Sequence, residues 1–156
     1  MDALSRQKRG EAVGLTRRGK GSRIMAVPEA RGLPIAVGVF TAGEHAVKQA
    51  EETRMSCWTE YPPERVIADR GFDSDALDAS LAEFGVDMIV PHRKNRKVLT
   101  QDGRKLRRHT RRWEVERLFA WLGNFRRLLV RHDRKIANYE AFAHLATIVI
   151  LVRSCF

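Results

Sequence analysis

The feature that most constrains the fold is an alternation of strand, helix and strand within residues 65–90. Residues 65–68 form a short apolar run typical of a buried strand, and residues 86–90 form another. Between them, Asp73 or Ser74 can cap a helix that Gly85 ends. Two strands separated by one helix within about 30 residues imply a βαβ unit, whose strands are parallel with a right-handed crossover.

The rest of the chain completes a mixed α/β domain. Its 156 residues suit one domain around one core. The further predicted elements are a basic, glycine-rich loop at 1–22, an antiparallel hairpin of 23–27 and 33–40 with a five-residue turn, a helix over 44–55, an exposed and mobile basic loop at 92–110, and helices over 111–125 and 139–152.

Apolar runs and cysteines favour a cytoplasmic protein. The longest apolar run, 141–152, has 12 residues, whereas a membrane helix needs about 20. It is therefore predicted to be a buried helix. Cys57 and Cys155 are too few for a disulfide framework or a zinc site, which favours a reducing compartment.

Charge is distributed unevenly along the chain. The net charge of +10 combines +5 in residues 1–23, −7 in residues 24–91 and +12 in residues 92–135. Soluble surfaces usually intersperse the two signs, so a segment of +12 indicates a polyanionic partner, most simply nucleic acid. The alternative is a flexible basic loop on an ordinary enzyme.

A glycine-rich segment near the N-terminus resembles a phosphate-binding P-loop only in part. Gly14 to Lys20 has the glycine and lysine spacing, but Gly21 follows where magnesium binding requires Ser or Thr. A strand rather than a helix is predicted next, so no helix N-terminus would face the phosphate. The basic residues among these glycines better suit contacts with a nucleic-acid backbone.

Asp69 is the first candidate for metal binding. It ends the apolar strand at 65–68, and ligands of open α/β sheets gather beyond the carboxyl ends of strands. The alternative is a helix cap or a surface acid paired with Arg70.

Glu116 is the second candidate. It lies within the amphipathic helix predicted at 111–125 and shares a stripe with Arg112 and Phe119. A carboxylate at the border of a packed stripe needs a partner, either an arginine or a metal. Glu114 points about 200° away and suits a solvated or arginine-paired acid. Taken alone, Glu116 also fits a structural role.

Histidines and aromatic residues add no separate site. The five histidines lack metal-ligand spacing, and His144 is predicted to be a core residue. Four aromatic side chains could stack on bases, but their helical spacing favours a place in the core: Trp113, Phe119, Trp121 and Phe125.

Two motifs resemble the DDE transposases of bacterial insertion sequences. They are Asp-Arg-Gly-Phe-Asp-Ser from Asp69 and Trp-Glu-Val-Glu-Arg-Leu-Phe-Ala-Trp-Leu-Gly-Asn-Phe-Arg-Arg-Leu from Trp113. Residues 13–22, the strand from Gly32 and the closing apolar helix resemble the same group. The likeness extends over nearly the whole chain.

The resemblance implies a ribonuclease H-like mixed sheet flanked by helices, in which two Asp and one Glu hold two Mg²⁺ or Mn²⁺ ions. By motif, Asp69 is the second carboxylate and Glu116 the third. Arg112 matches the basic residue four before the family's Glu. His109 stands where the family has tyrosine, and Gly123 where it has lysine.

The first carboxylate has two candidate origins. In this family it ends a hydrophobic strand that is largely missing here, since the chain begins Met1-Asp2-Ala3-Leu4. Either Asp2 is the remaining first carboxylate, with spacing shifted by about one residue, or the true Asp lies upstream in another reading frame. The chain is therefore interpreted as the C-terminal part of a single catalytic domain.

The resemblance implies DNA cleavage and strand transfer in the bacterial cytoplasm, at the nucleoid. Its partners would be double-stranded transposon ends and target DNA, a second copy of the chain on that DNA, and an upstream reading-frame product. Two alternatives remain open: an inactive remnant that only binds DNA, and a metal-dependent nuclease of the same fold. The candidate DNA-binding residues are Arg17, Arg18, Lys20, Arg93, Lys94, Arg96, Lys97, Arg112 and Arg117.

Overall fold

A computed structural model describes residues 2–6, 10–16, 19–61, 63–100 and 112–155, with the backbone alone for residues 2–6 and 16. The architecture is mixed α/β, as predicted. The strands are β1 Asp2–Arg6, β2 Gly14–Thr16, β3 Gly19–Pro28, β4 Pro34–Thr41, β5 Arg65–Ile67 and β6 Asp87–Ile89. The helices are α1 Ala46–Met55, α2 Asp75–Glu83, α3 Trp113–Gly123, α4 Arg126–Leu129 and α5 Ile136–Cys155.

The larger sheet is built around β3, which pairs antiparallel with β1, β2 and β4. Gly21 of β3 lies opposite both Arg6 of β1 and Gly14 of β2, so β1 and β2 occupy opposite edges. The predicted hairpin is confirmed as β3 and β4. In its turn, Gly32 has φ +84° and donates its backbone N–H to the Glu29 carbonyl at 2.8 Å.

The loop predicted for residues 1–22 was wrong, because this region contributes β1, β2 and the first part of β3. Strand pairing uses backbone groups, which leave no mark on the side-chain pattern. Leu15 of β2 is 71% exposed, so this short strand lacks the apolar alternation by which a half-buried strand is detected.

The βαβ unit is confirmed. Strands β5 and β6 are parallel, with Arg65 opposite Asp87, and α2 connects them. Of the two predicted caps, Ser74 accepts a hydrogen bond from the Leu77 N–H at 3.4 Å, and Gly85 follows the helix with φ +72°. Among the described residues, β5 and β6 form a sheet of their own.

Two apolar cores lie on opposite faces of β3. Ile24 and Ala26 face α3 and α5, whereas Met25 faces α2 and β6. This separation follows from the alternation of side chains along a strand. A sheet covered on both faces explains why β3 and β4 are apolar at successive positions rather than alternating.

The C-terminal helices differ from the prediction in their boundaries. The helix predicted over 111–125 ends at Gly123, and the separate short helix α4 follows. Helix α5 has 20 residues, longer than the predicted 139–152, and by length and composition it could cross a membrane. Its fully buried residues Tyr139 and Ala143 instead pack in the core with Leu118.

A buried arginine ties the N-terminal region to the C-terminal helices. Arg131 is 2% exposed and donates to the Glu11 carbonyl at 2.8 Å and to the Ser22 hydroxyl at 2.6 Å. It also donates to the carbonyls of Asp133 and Arg134. Burial lowers the pKa of its guanidinium, while the charges of Glu11 and Asp133 oppose that effect.

Candidate active site

Asp69 lies at the carboxyl end of β5, where a turn of 3-10 helix over Arg70–Phe72 begins. Its Oδ1 atom accepts a hydrogen bond from the Arg70 N–H at 2.8 Å, which fixes the carboxylate at the start of the turn. Phe72, only 7% exposed, anchors the turn in the core. The strand and the turn together present Asp69 at the surface.

Glu116 is presented by α3. Val115, Leu118 and Leu122 are buried along the inner face of this helix and hold it against the sheet. Glu116 lies on the outer side, and its side chain is 51% exposed. The packing of its neighbours therefore decides where the carboxylate points.

Arg112 joins the two carboxylates. Its Nη1 lies 2.9 Å from Asp69 Oδ1, and its Nη2 lies 3.2 Å from Glu116 Oε1. Because both nitrogens belong to one planar guanidinium, the two carboxylate oxygens lie within about 8 Å of each other. Residues 47 positions apart in the sequence thus meet at one exposed site.

The donor set at this site suits a hard cation. Mg²⁺ binds through one or two carboxylates and keeps several waters. Asp69 and Glu116 supply two carboxylates, both of which pair with Arg112 in this structure. Within the described residues, no group of three Asp, Glu, His or Cys side chains converges as a metal site. The Asp2 backbone begins β1 opposite Met25, and its side chain lies outside the described part.

A second acid of the same motif, Asp73, holds the basic loop in place. Its Oδ1 lies 3.1 Å from His92 Nδ1 and 2.6 Å from Arg96 Nη1, and its Oδ2 accepts from the Arg93 N–H at 2.8 Å. Burial alone raises the pKa of Asp73, but the hydrogen bonds from Arg93 and His92 and the charge of Arg96 outweigh it. The net pKa is below the ordinary value.

The first part of the basic loop, residues 92–100, is irregular and mostly exposed, as predicted. Arg93 reaches back to the Gly71 carbonyl at 3.1 Å, and Arg96 also pairs with Asp75. The Thr100 N–H donates to His92 Nε2 at 2.9 Å, so His92 carries its proton on Nδ1, facing Asp73. These contacts fasten the loop to the turn that starts at Asp69.

Sequence reasoning missed this fastening. From the sequence, Asp73 is predicted only as a possible helix cap, a role that Ser74 takes. The available signal was the position of Asp73, four residues after Asp69 and before a segment rich in arginine. The pairing with His92 and Arg96 spans 19 and 23 positions and could not be read from local periodicity.

The candidate DNA-binding residues fall into three groups. Lys20, Arg93, Lys94 and Lys97 are exposed. Arg96, Arg112 and Arg117 are partly buried and paired with acids. Arg17 and Arg18 lie outside the described residues, as do residues 101–111, which include His109.

The other residues singled out in α3 and α5 are placed as follows. Glu114 pairs with Arg117, one of the two roles predicted for it. Trp113 is 51% exposed, so its assignment to the core was wrong. It lies in the first turn of α3, and the Arg117 guanidinium covers its ring at 4.6 Å. His144 is half-buried rather than a core residue, with its ring centroid 5.7 Å from that of Trp58.

Comparison with known proteins assigns the class. The model of the family described as Transposase DDE domain matches residues 5–151, so the chain belongs to the DDE transposases, and the resemblance seen in its motifs is confirmed. A curated relative is the transposase assigned to insertion sequence element IS402 of Burkholderia cepacia. It is 31% identical over 142 residues, which cover 83% of this chain and 62% of that protein. This chain therefore spans less than two thirds of the length of that relative. No solved structure matches significantly.

Proposed function

We propose that this chain carries the catalytic part of an insertion-sequence transposase, which cuts DNA at the transposon ends and joins them to a target. The observation that carries the proposal is the meeting of Asp69 and Glu116 at Arg112. These acids come from different elements and match the family's second and third catalytic positions. A ribonuclease H-like arrangement of the domain is part of the same proposal.

The proposed reaction has two steps at one site. In the first, a water oxygen bonds to phosphorus, the bond from phosphorus to the 3′-oxygen breaks, and the transposon end leaves with a free 3′-hydroxyl. In the second, that 3′-oxygen bonds to a phosphorus of target DNA and displaces the target's own 3′-oxygen. Neither step needs an oxidant or a further co-reactant.

Asp69, Glu116 and Asp2 are the proposed ligands of two Mg²⁺ or Mn²⁺ ions. Such ions, when bound, activate the attacking oxygen and stabilise the leaving one. Arg112 holds Asp69 and Glu116 at a fixed separation and compensates their charge.

DNA binding is proposed for the basic segment at 92–135, which carries sixteen basic and four acidic residues. Arg93, Lys94 and Lys97 are exposed in a loop fastened beside Asp69, so a phosphate backbone bound there would pass the carboxylates. Affinity should fall steeply with salt. Cytoplasmic location, oligomerisation on DNA and completion by an upstream polypeptide belong to the same proposal.

The test separates binding from cleavage in the full chain. Asp69→Asn and Glu116→Gln should each abolish Mg²⁺- or Mn²⁺-dependent nicking of a supercoiled plasmid. Both variants should retain binding to a fluorescent duplex at 50 mM salt within about threefold, because the basic residues are untouched. Glu114→Gln is the matched control, since this neighbouring acid of α3 pairs with Arg117 instead.

Each outcome distinguishes the proposal from its rivals. Salt-sensitive DNA binding by the full chain without any metal-dependent nicking indicates a remnant that only binds DNA. Nicking without joining of a 3′-hydroxyl oligonucleotide to the plasmid indicates a nuclease. Equal loss of binding and nicking in Asp69→Asn and Glu116→Gln contradicts the assignment of these two acids.

A further inference from the structure

The loop of residues 92–100 is closed by its own hydrogen bonds. The Thr100 N–H donates to His92 Nε2 at 2.9 Å, which joins the two ends of the loop. The side chain of Arg96 is mostly buried and pairs with Asp73 at the base of the loop. The loop therefore has a defined conformation, although it contains neither helix nor strand.

Two adjacent apolar side chains of this loop extend into solvent. Val98 is 69% exposed and Leu99 is 72% exposed, and we call them the apolar pair. The Arg96 Nε donates to the Val98 carbonyl at 2.8 Å, and the Arg96 Nη2 lies 3.2 Å from Thr100 Oγ1. Single exposed apolar side chains are common on protein surfaces. Here the backbone is held on both sides of the pair, which keeps a contiguous apolar surface in water that a partner can cover.

The charge around the apolar pair indicates what that partner is. Residues 92–100 carry four basic side chains and no acidic one. Arg96 is paired with acids, whereas Arg93, Lys94 and Lys97 are exposed. A partner that matches this surface is negatively charged on its outside and apolar within, and duplex DNA has phosphates outside and stacked bases inside.

We propose that the apolar pair inserts between neighbouring base pairs of bound duplex DNA, while the three exposed basic residues of the loop contact its phosphates. Apolar side chains such as leucine can enter a base step, unstack it in part and kink the duplex. This inference rests on the proposed function, because it requires that the chain bind DNA. It adds a contact with the bases to the proposed contacts with the backbone.

Insertion makes binding depend on how easily the bases separate. A mismatched pair is already weakly held, so entering the stack beside it costs less than entering a matched duplex. Phosphate contacts supply affinity that is independent of sequence and sensitive to salt. The apolar pair should therefore produce a preference for mismatched DNA, whereas the basic residues should strengthen binding to both kinds of duplex.

Binding of the full chain to two fluorescent duplexes tests this inference. The duplexes have the same length and sequence, except that one carries a mismatched pair at its centre, and EDTA is present to prevent metal-dependent cleavage. The unmodified chain should bind the mismatched duplex about tenfold more tightly. The double variant Val98→Ser, Leu99→Ser should reduce this ratio to less than about twofold and keep the salt dependence of binding, because its basic residues are unchanged.

Three control variants separate the apolar pair from its surroundings. Met55→Ser removes another largely exposed apolar side chain, outside this loop, and should leave the ratio unchanged. The double variant Val98→Ile, Leu99→Met keeps the apolar character and should retain the preference. Lys94→Ala should weaken binding to both duplexes alike and lower the slope of affinity against salt by about one.

Equal affinity of the unmodified chain for the two duplexes would overturn this inference and leave the proposed function standing. So would a preference that the double serine variant retains, since it would then come from DNA flexibility sensed through the phosphates. Sedimentation of the unmodified chain as a dimer that the double serine variant dissociates would also overturn it, because a second copy would then cover the apolar pair. Absence of salt-sensitive binding to either duplex would overturn the proposed function, and this inference with it.

Discussion

At the scale of single residues, the positively charged side chain of Arg112 organises the candidate site. Asp69 and Glu116 are both about half exposed, and each lies close to a different nitrogen of Arg112. Exposed ion pairs of this kind contribute little to stability, about 0–1 kcal/mol. The main effect of these ion pairs is on position, because they hold the two carboxylates close together in the absence of a ligand.

Replacing Arg112 by leucine should strengthen the response of the protein to divalent ions. Without the guanidinium, the two carboxylates repel each other and are free to share a metal. We expect 10 mM Mn²⁺ to stabilise Arg112→Leu by about 1 kcal/mol more than the unmodified chain, measured by urea unfolding. Arg117→Leu, which removes the partner of Glu114 on the same helix, is the control. The expectation fails if Mn²⁺ stabilises both variants equally.

Asp73 should make stability depend on pH in the acid range. Because its pKa is lowered in the folded state, it contributes stability above its unfolded pKa of about 3.9. That contribution is lost as the pH falls through the lower folded value. Asp73→Asn should thus unfold more easily at pH 7 but lose less stability below pH 4, as measured by urea unfolding across pH. Parallel curves for the two proteins would contradict this account.

At the scale of elements, α3 connects the core to the site. Its inner face buries Val115, Leu118 and Leu122, its outer face carries Glu116, and Arg112 directly precedes its first residue. A shift of this helix against β3 would therefore separate Glu116 from Asp69, which follows β5. The position of Glu116 therefore depends on the apolar packing of the inner face of α3.

Leu118→Ala should test this dependence. Leu118 is fully buried, so its truncation should cost about 3 kcal/mol of unfolding free energy through lost burial and a residual cavity. Leu129→Ala removes a side chain that is 54% exposed and should cost less than about 1 kcal/mol. Urea unfolding of both variants makes the comparison. Equal losses would show that α3 is not anchored through Leu118.

At the scale of the whole molecule, strand edges and apolar surface are left uncovered in the described residues. The edge of β5 that faces away from β6 has no strand partner among the described residues. On α5, the side chains of Leu145, Ile148 and Val152 are each about half exposed. Unpaired edges and contiguous exposed apolar side chains both favour association.

The isolated chain should therefore aggregate on heating rather than melt as a cooperative monomer. Light scattering recorded during a thermal ramp at micromolar concentration should rise before or together with the loss of helical circular dichroism. A reversible, concentration-independent, cooperative melt of the monomer would show the expectation to be mistaken.

The sequence by itself determined the elements whose side chains carry a local period. The helix between β5 and β6, the hairpin of β3 and β4, and the amphipathic face of α3 all followed from spacing, caps and turn glycines. It also determined the family, because the motifs at Asp69 and Glu116 are contiguous stretches of chain. Local patterns suffice for such features because neighbours in sequence are also neighbours in these elements.

Only the tertiary structure decided what depends on distant partners. Four features depend on contacts between segments far apart in sequence. They are the pairing of β1 and β2 with β3, the contacts of His92 and Arg96 with Asp73, the burial of Arg131 and the exposure of Trp113. Apart from proline, every residue type offers the same backbone hydrogen-bonding groups, and a polar side chain can be satisfied by many partners. The fold selects among those partners, and at Arg112 it selected the two acids of the candidate site.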